Sequence, residues 1–228
     1  ASGSTFGGQQ VNSSGEAGFP QLEARVMISQ GTNVSPFPLY PVADWLFFAA
    51  VHYDQKDLTG AGAVNGLNQK DKLSTYAIQA GYKSNQITNL TLAVNGWFGQ
   101  NTGNLLGNIV QIGPVAQSAA GQNLINVSSY GVWAQAGWAF GGGPWSLWGF
   151  GGFEHPDWLK APQAFGNGAR VRNVNTAAML TYRDGPWLFG LEWMHSFTTF
   201  GTYVPANNTT VTNSVNANQY LATVDYFF

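Results

Sequence analysis

Between Ser84 and Phe153 the chain carries no Asp, Glu, Lys or Arg, and a second uncharged stretch runs from Trp193 to Val224. Few folds tolerate this. A soluble surface keeps charges of both signs interspersed to stay dispersed. Over the whole chain 9% of residues are charged, against roughly 25% in ordinary soluble domains. The chain is nonetheless not simply apolar: its mean hydropathy is -0.10, because Asn, Gln, Ser, Thr and Gly supply neutral polarity. A wall with one apolar face and one neutral polar face satisfies both observations. The longest strongly apolar run, Trp45 to Val51, is far short of the ~18 to 20 residues a membrane helix needs. A chain of this kind that crosses a bilayer must do so as a closed barrel, because lipid cannot satisfy an open sheet edge.

Period-two alternation, the mark of a strand with two unlike faces, recurs along the chain. Residues 1–21, rich in Gly, Ser and Gln, read as a flexible N-terminal tail or loop, and 22–228 as one β-barrel domain. Strands are expected at Leu22–Ser29, Asp44–Asp54, Leu73–Lys83, Leu90–Gln100, Ser128–Phe140, Trp145–Phe153, Arg170–Arg183, Trp187–Phe197 and Asn218–Phe228. The two faces of Trp145–Phe153 do not separate, since both are aromatic. Pro36, Pro38 and Pro41 exclude a central strand at 30–43. Gly141 to Pro144 and Asp184-Gly185 are tight-turn signals.

Connections alternate short (84–89, 141–144, 184–186) and long (55–72, 101–127, 154–169, 198–216). Aromatics fall near both ends of the apolar face: Trp45 and Tyr53, Tyr76 and Tyr82, Tyr130 and Trp138, Trp187 and Trp193, Tyr220 and Phe228. Paired aromatic ends are the interfacial girdles of a membrane barrel. The expected fold class is therefore all-β, a transmembrane antiparallel up-and-down β-barrel with eight or nine strands in this chain. Asp44 onward supplies eight strands, a complete small barrel. Leu22–Ser29 makes a ninth, an odd number for a bacterial barrel. Either 22–29 is a periplasmic or lumenal segment, or the chain is the C-terminal part of a larger barrel. Ala1 suits a mature N-terminus or a start midway through a longer chain.

Several stretches carry a resemblance: Asn95 to Asn101, Gly131 to Gly137, Trp145 to Gly151, Phe189 to Trp193 and the ending Asn218 to Phe228. Together they resemble the C-terminal half of large proteobacterial porin-like proteins. The terminal strand, with Tyr220, Ala222, Val224, Tyr226 and Phe228 on one face, looks like the closing strand of a bacterial outer-membrane barrel. The resemblance covers about residues 22–228. It implies a water-filled pore in the bacterial cell outer membrane, with short turns inside and long loops outside, and often a trimer.

The polar faces supply the expected pore-lining set: Glu23, Arg25, Gln79, Asn95, Gln135, Asn173, Asn175, Glu192 and Asp225. His52 shares a face with Leu46 and Phe48, which leaves its direction open. In a filled eight-stranded interior, Glu192 and Asp225 would need partners such as Arg25. The apolar loop 101–127 is expected to fold into the lumen or onto a neighbouring subunit.

Enzymatic chemistry finds little purchase. His52, His155 and His195 have no metal-ligand spacing. His195 and Ser196 are adjacent, so they face opposite ways and cannot act as base and nucleophile. Glu154-His155-Pro156-Asp157 is the best candidate cation ligand set, and a weak one. No cofactor is expected, no catalytic residue is assigned, and cysteine is absent. A net charge of -2 with no basic patch argues against nucleic acid. The partners expected are outer-membrane lipid and small solutes. The expected function is an outer-membrane porin-like channel for passive diffusion of small solutes. The alternative is a small plugged barrel with a structural or adhesive role; a lipid-modifying barrel enzyme is disfavoured by the missing His/Ser constellation.

Overall fold

Alternating stretches pair edge to edge with their neighbours in sequence. The computed structural model describes residues 4–6, 9–11, 17–31, 44–57, 72–102 and 125–227. Strands β1 (Ser4–Phe6) and β2 (Gln9–Val11) pair only with each other. Then come β3 (Ala17–Gln30), β4 (Trp45–Asp57), β5 (Lys72–Ser84), β6 (Leu90–Gln100), β7 (Ser128–Ala139) and β8 (Trp145–Pro156). A short helix, α1 (Lys160–Phe165), precedes β9 (Ala169–Asp184), β10 (Trp187–Val204) and β11 (Thr209–Tyr226). β3 to β11 form one nine-stranded antiparallel sheet in chain order. No helix among the described residues is long and apolar enough to cross a membrane.

The structure changes three expectations. First, β3 begins at Ala17, not Leu22, and pairs with β4 as a ninth strand of the sheet. Residues 22–29 are therefore not a separate lumenal segment. Second, the polar loop expected at 198–216 is mostly strand. β10 and β11 pair without a break from Trp187↔Tyr226 to Val204↔Thr209, closed by a turn at Pro205–Asn207 with Asn208 left-handed at φ 47°. Polarity on both faces hid these strands, although their many Thr and Val residues suit an extended backbone. Third, among the described residues the sheet does not close: β3 and β11 are its two edges. In an up-and-down order of nine strands the first and last run the same way, so an antiparallel closing pair between them cannot form. The far end of loop 101–127 (103–124) and Phe228 lie outside the described residues.

Followed pair by pair from Ser84 at the end of β5, through Leu92, Ala136, Gly149, Ala178 and Trp193, the register reaches Tyr220, six residues short of Tyr226 at the end of β11, so the strand ends are staggered on average. Ser84 faces Leu92, but β6 continues two residues further, to Leu90. Trp138 faces Leu147, and β8 starts two residues further, at Trp145. Tyr182 faces Phe189, and β10 starts two residues further, at Trp187. All three steps have the same sense. Two residues advance about 6.6 Å along a strand, while two strands span about 9.6 Å across the sheet. With the short turns on one plane, the strands therefore lean by about 35°, within the tilt that closed barrels need.

The same registers carry each face across the whole sheet. One face is open: Val26, Ile78, Leu191 and Val224 are 56 to 65% exposed. The other is crowded. A methyl group on Gly131 of that face would meet the Trp97 indole at 2.6 Å, whereas one on Gly149 or Gly151 of the open face meets nothing within 4 Å. Side chains converge on the inside of a curved sheet and diverge on the outside, so the crowded face is the inner one. The burial order of a soluble domain is thus inverted: large apolar groups are exposed, and the inner Thr75, Asn95 and Thr181 are buried.

A small conventional core exists at the long-loop end, where Val127, Ala161, Ala164 and Val171 are fully buried beside Ile125 and Phe165. Asp157 holds α1 there, its carboxylate accepting the backbone N–H groups of Leu159 and Lys160.

Candidate functional site

The stagger places specific side chains at one height. Five residues in from the pairs at the short-turn end lie Arg25, Ala50, Gln79, Asn95, Trp133, Phe150, Ala177, Glu192 and Leu221, one from each strand of the sheet. Period two keeps all of them on the inner face. Four of the expected pore-lining residues, Arg25, Gln79, Asn95 and Glu192, belong to this tier. Gln135 and Asp225 stand nearer the short turns, and Glu23, Asn173 and Asn175 nearer the long loops. The registers carry all of these onto the same face.

The charges in the tier are sparse and opposed. The Arg25 guanidinium sits 4.8 Å from the centre of the Phe48 ring, a cation–π contact. Glu192 lies across from Met179 and Leu221, with no charged partner among the described residues. The Arg25 partnership suggested for Glu192 and Asp225 in a filled interior is therefore not formed. His52, whose direction the sequence leaves open, faces inward, with Nδ1 2.9 Å from a Glu23 carboxylate oxygen.

Between the two charges the middle of the inner face, on β5 to β8, is neutral and aromatic, and Asp54, Lys83, Glu154 and Arg183 of the same face lie nearer its ends. Three cross-strand pairs join an amide to a ring: Gln79 with Trp97, Asn95 with Trp133, and Gln135 with Phe150. Residues directly opposite in an antiparallel pair have Cβ atoms about 4.5–5.5 Å apart, so each amide lies beside its ring. Small residues make the room. Trp97 leans on Gly131, Trp148 on Gly137, and Phe150 on Gly152. Sequence reasoning did not single out these rings as functional. Their signal was weak: they run in phase with Asn and Gln rather than with Val and Leu.

The expected interface aromatics all lie on the outer face, apart from Phe228, which is outside the described residues. At the short-turn end, Trp138 packs on Phe140 and Trp145 on Tyr182, and Tyr182, Phe189, Trp187 and Tyr226 follow in sequence of contact. Trp45 and Tyr82 occupy the same end on β4 and β5. At the long-loop end, Tyr76 meets Phe98, and Tyr130 meets Phe153 and His155. Tyr53 lies opposite Tyr76, and Tyr220 opposite Trp193. Trp45 to Tyr53 and Trp138 to Tyr130 each span eight residues on their strands. That is about 27 Å along the strand, or about 22 Å high after the lean, close to the ~25 Å apolar band of a membrane barrel. On β11 the outer face turns from Tyr226, Val224, Ala222 and Tyr220 to Asn218, Asn216, Ser214, Thr212 and Thr210. The apolar band ends there, while the strand continues.

The candidate cation ligands are pulled apart. Glu154 faces inward and His155 outward, while Asp157 caps α1. His195 faces outward, its Nδ1 3.0 Å from Asn218 Oδ1, and Ser196 lies on the opposite face. No family model, curated protein or solved structure matches the chain.

Proposed function

We propose that the sheet is the wall of an outer-membrane channel of the porin-like kind, in a bacterial cell outer membrane, that passes small solutes by diffusion. The observation that carries this is the pairing of an exposed apolar band, ringed at both ends by aromatics, with a polar inner face. Hydrocarbon is the solvent in which such an outer face is stable, and the polar inner face then meets water. The lean of the strands and the height of the band support the same assignment.

The edges at β3 and β11 fit a wall that is an arc of a wider barrel. A small plugged barrel of eight strands asks β4 to close against β11, yet β4 lies between β3 and β5. With the turns at 85–89, 140–144 and 185–186 on the periplasmic side, the longer connections 58–71, 101–127 and 157–168 face outward in the usual orientation; the short β10–β11 turn and the longer β3–β4 connection, 31–44, depart from that pattern.

Purified protein inserted into a planar lipid bilayer should show ohmic conductance in simple salt. Protein that is folded, as judged by heat-modifiable gel migration, and carries no current would refute the channel and restore the structural role.

A further inference from the structure

The neutral middle of the inner face holds a group without a partner. Asn95 is 7% exposed, and its Oδ1 has no hydrogen-bond donor among the described residues. Leaving a buried acceptor unsatisfied costs about 1–3 kcal/mol, so a donor brought by a ligand would gain by completing it. The donor has to come from the inner side, because Asn95 lies on that face between Gly81 and Trp133; Oδ1 is itself buried, so a neighbouring side chain shifts to admit the donor.

The surroundings define the visitor. Asn95, Gln79 and Gln135 each lie opposite an aromatic ring on the neighbouring strand. The rings of Trp97 and Phe150 rest against glycines of the wall, and the Trp133 and Phe150 rings lie 6.2 Å apart. The four aromatic and amide strands involved, β5 to β8, contribute no charge to the tier. Stacking faces alternating with neutral amides suit a flat ring that carries hydroxyl donors on its rim and no net charge.

We propose that the Gln79, Asn95, Trp97, Trp133, Gln135 and Phe150 patch is a binding site for neutral hydroxylated rings, either a sugar ring or a phenol. The ring stacks on Trp133 or its neighbours, and a hydroxyl donates to Asn95 Oδ1. Neutral amides select against ions, whose desolvation they cannot repay. The proposal rests on the channel function only in that the inner face must be open to water.

Isothermal titration of the purified protein in detergent tests it, with maltose and phenol as separate probes and sorbitol as an open-chain polyol. Binding of maltose or phenol, and not of sorbitol, is expected; which of the two binds identifies the source of the ring. Trp133→Leu should weaken binding about tenfold and Trp133→Phe should retain it. Asn95→Leu should also weaken binding about tenfold while raising resistance to unfolding, since the orphaned acceptor is gone. That opposite movement is one a merely structural asparagine would not produce, and Asn95→Leu serves if Trp133→Leu fails to fold. Absence of heat with both rings, equal binding of sorbitol, or unchanged affinity in Asn95→Leu overturns the proposal. A protein that conducts ions and binds neither ring keeps the channel and loses the site; one that binds a ring without conducting does the reverse.

Discussion

If the outer face meets lipid, as proposed, Leu191→Arg should strongly destabilise the assembled protein. Leu191 is 64% exposed and stands on the outer face four residues from Trp187 and four from His195, in the middle of the apolar band. On a soluble protein an arginine at so exposed a position changes stability by no more than about 0.5 kcal/mol. At the midplane of a bilayer the same residue costs about 2–4 kcal/mol. Tenfold in an equilibrium corresponds to about 1.4 kcal/mol, so the equilibrium constant for folding into the bilayer should fall by a factor between about 30 and 1,000. The measurement is urea unfolding in lipid vesicles, alongside the amount of heat-modifiable protein in the outer-membrane fraction. Wild-type stability and abundance for Leu191→Arg would mean that this face does not touch hydrocarbon.

Glu192→Arg, one residue along and on the opposite face, should leave assembly intact and shift the proposed channel toward anions. Arg25→Glu should shift it toward cations. These are the two charges of the inner tier, one of each sign. A unit charge about 8 Å from a permeating ion in water alters its energy by about 0.5 kcal/mol, and reversal doubles that. For the cation-to-anion ratio the two ions move in opposite directions, and screening over a Debye length of about 10 Å removes roughly half. A change of about fivefold in the ratio should remain, read as the sign of the reversal potential in a salt gradient. Equal selectivity in both variants and the parent would place these side chains away from the ion path.

The faces of most strands were legible because polar and apolar residues alternate cleanly, as in Val174, Ala178, Leu180 and Tyr182 against Asn173, Asn175 and Thr181. β8 was not, since Trp145, Leu147 and Phe153 compete with Trp148 and Phe150. Only pairing to β7 and β9 assigns the first set outward and the second inward. Register is a property of two strands, so no single stretch reports it. For the same reason the stagger of the turns, the inner tier and the facing of Asn95 by Trp133 were invisible in the sequence. The upper half of the β10–β11 hairpin was hidden differently. Its residues leave the apolar band while remaining in strand, so the pattern that identified the other strands ends before the strand does.

Cysteine labelling along β10 tests the central claim most directly, and the chain has no native cysteine to interfere. Single cysteines would replace Phe189, Leu191, Glu192, Trp193, Met194 and Ser196 in protein assembled in intact membranes. A water-soluble maleimide should label positions 192, 194 and 196 and spare 189, 191 and 193, which should instead react with a lipid-phase probe. Equal labelling of both sets from water, or labelling of 189, 191 and 193 alone, would contradict a wall with water on its inner face and lipid on its outer one.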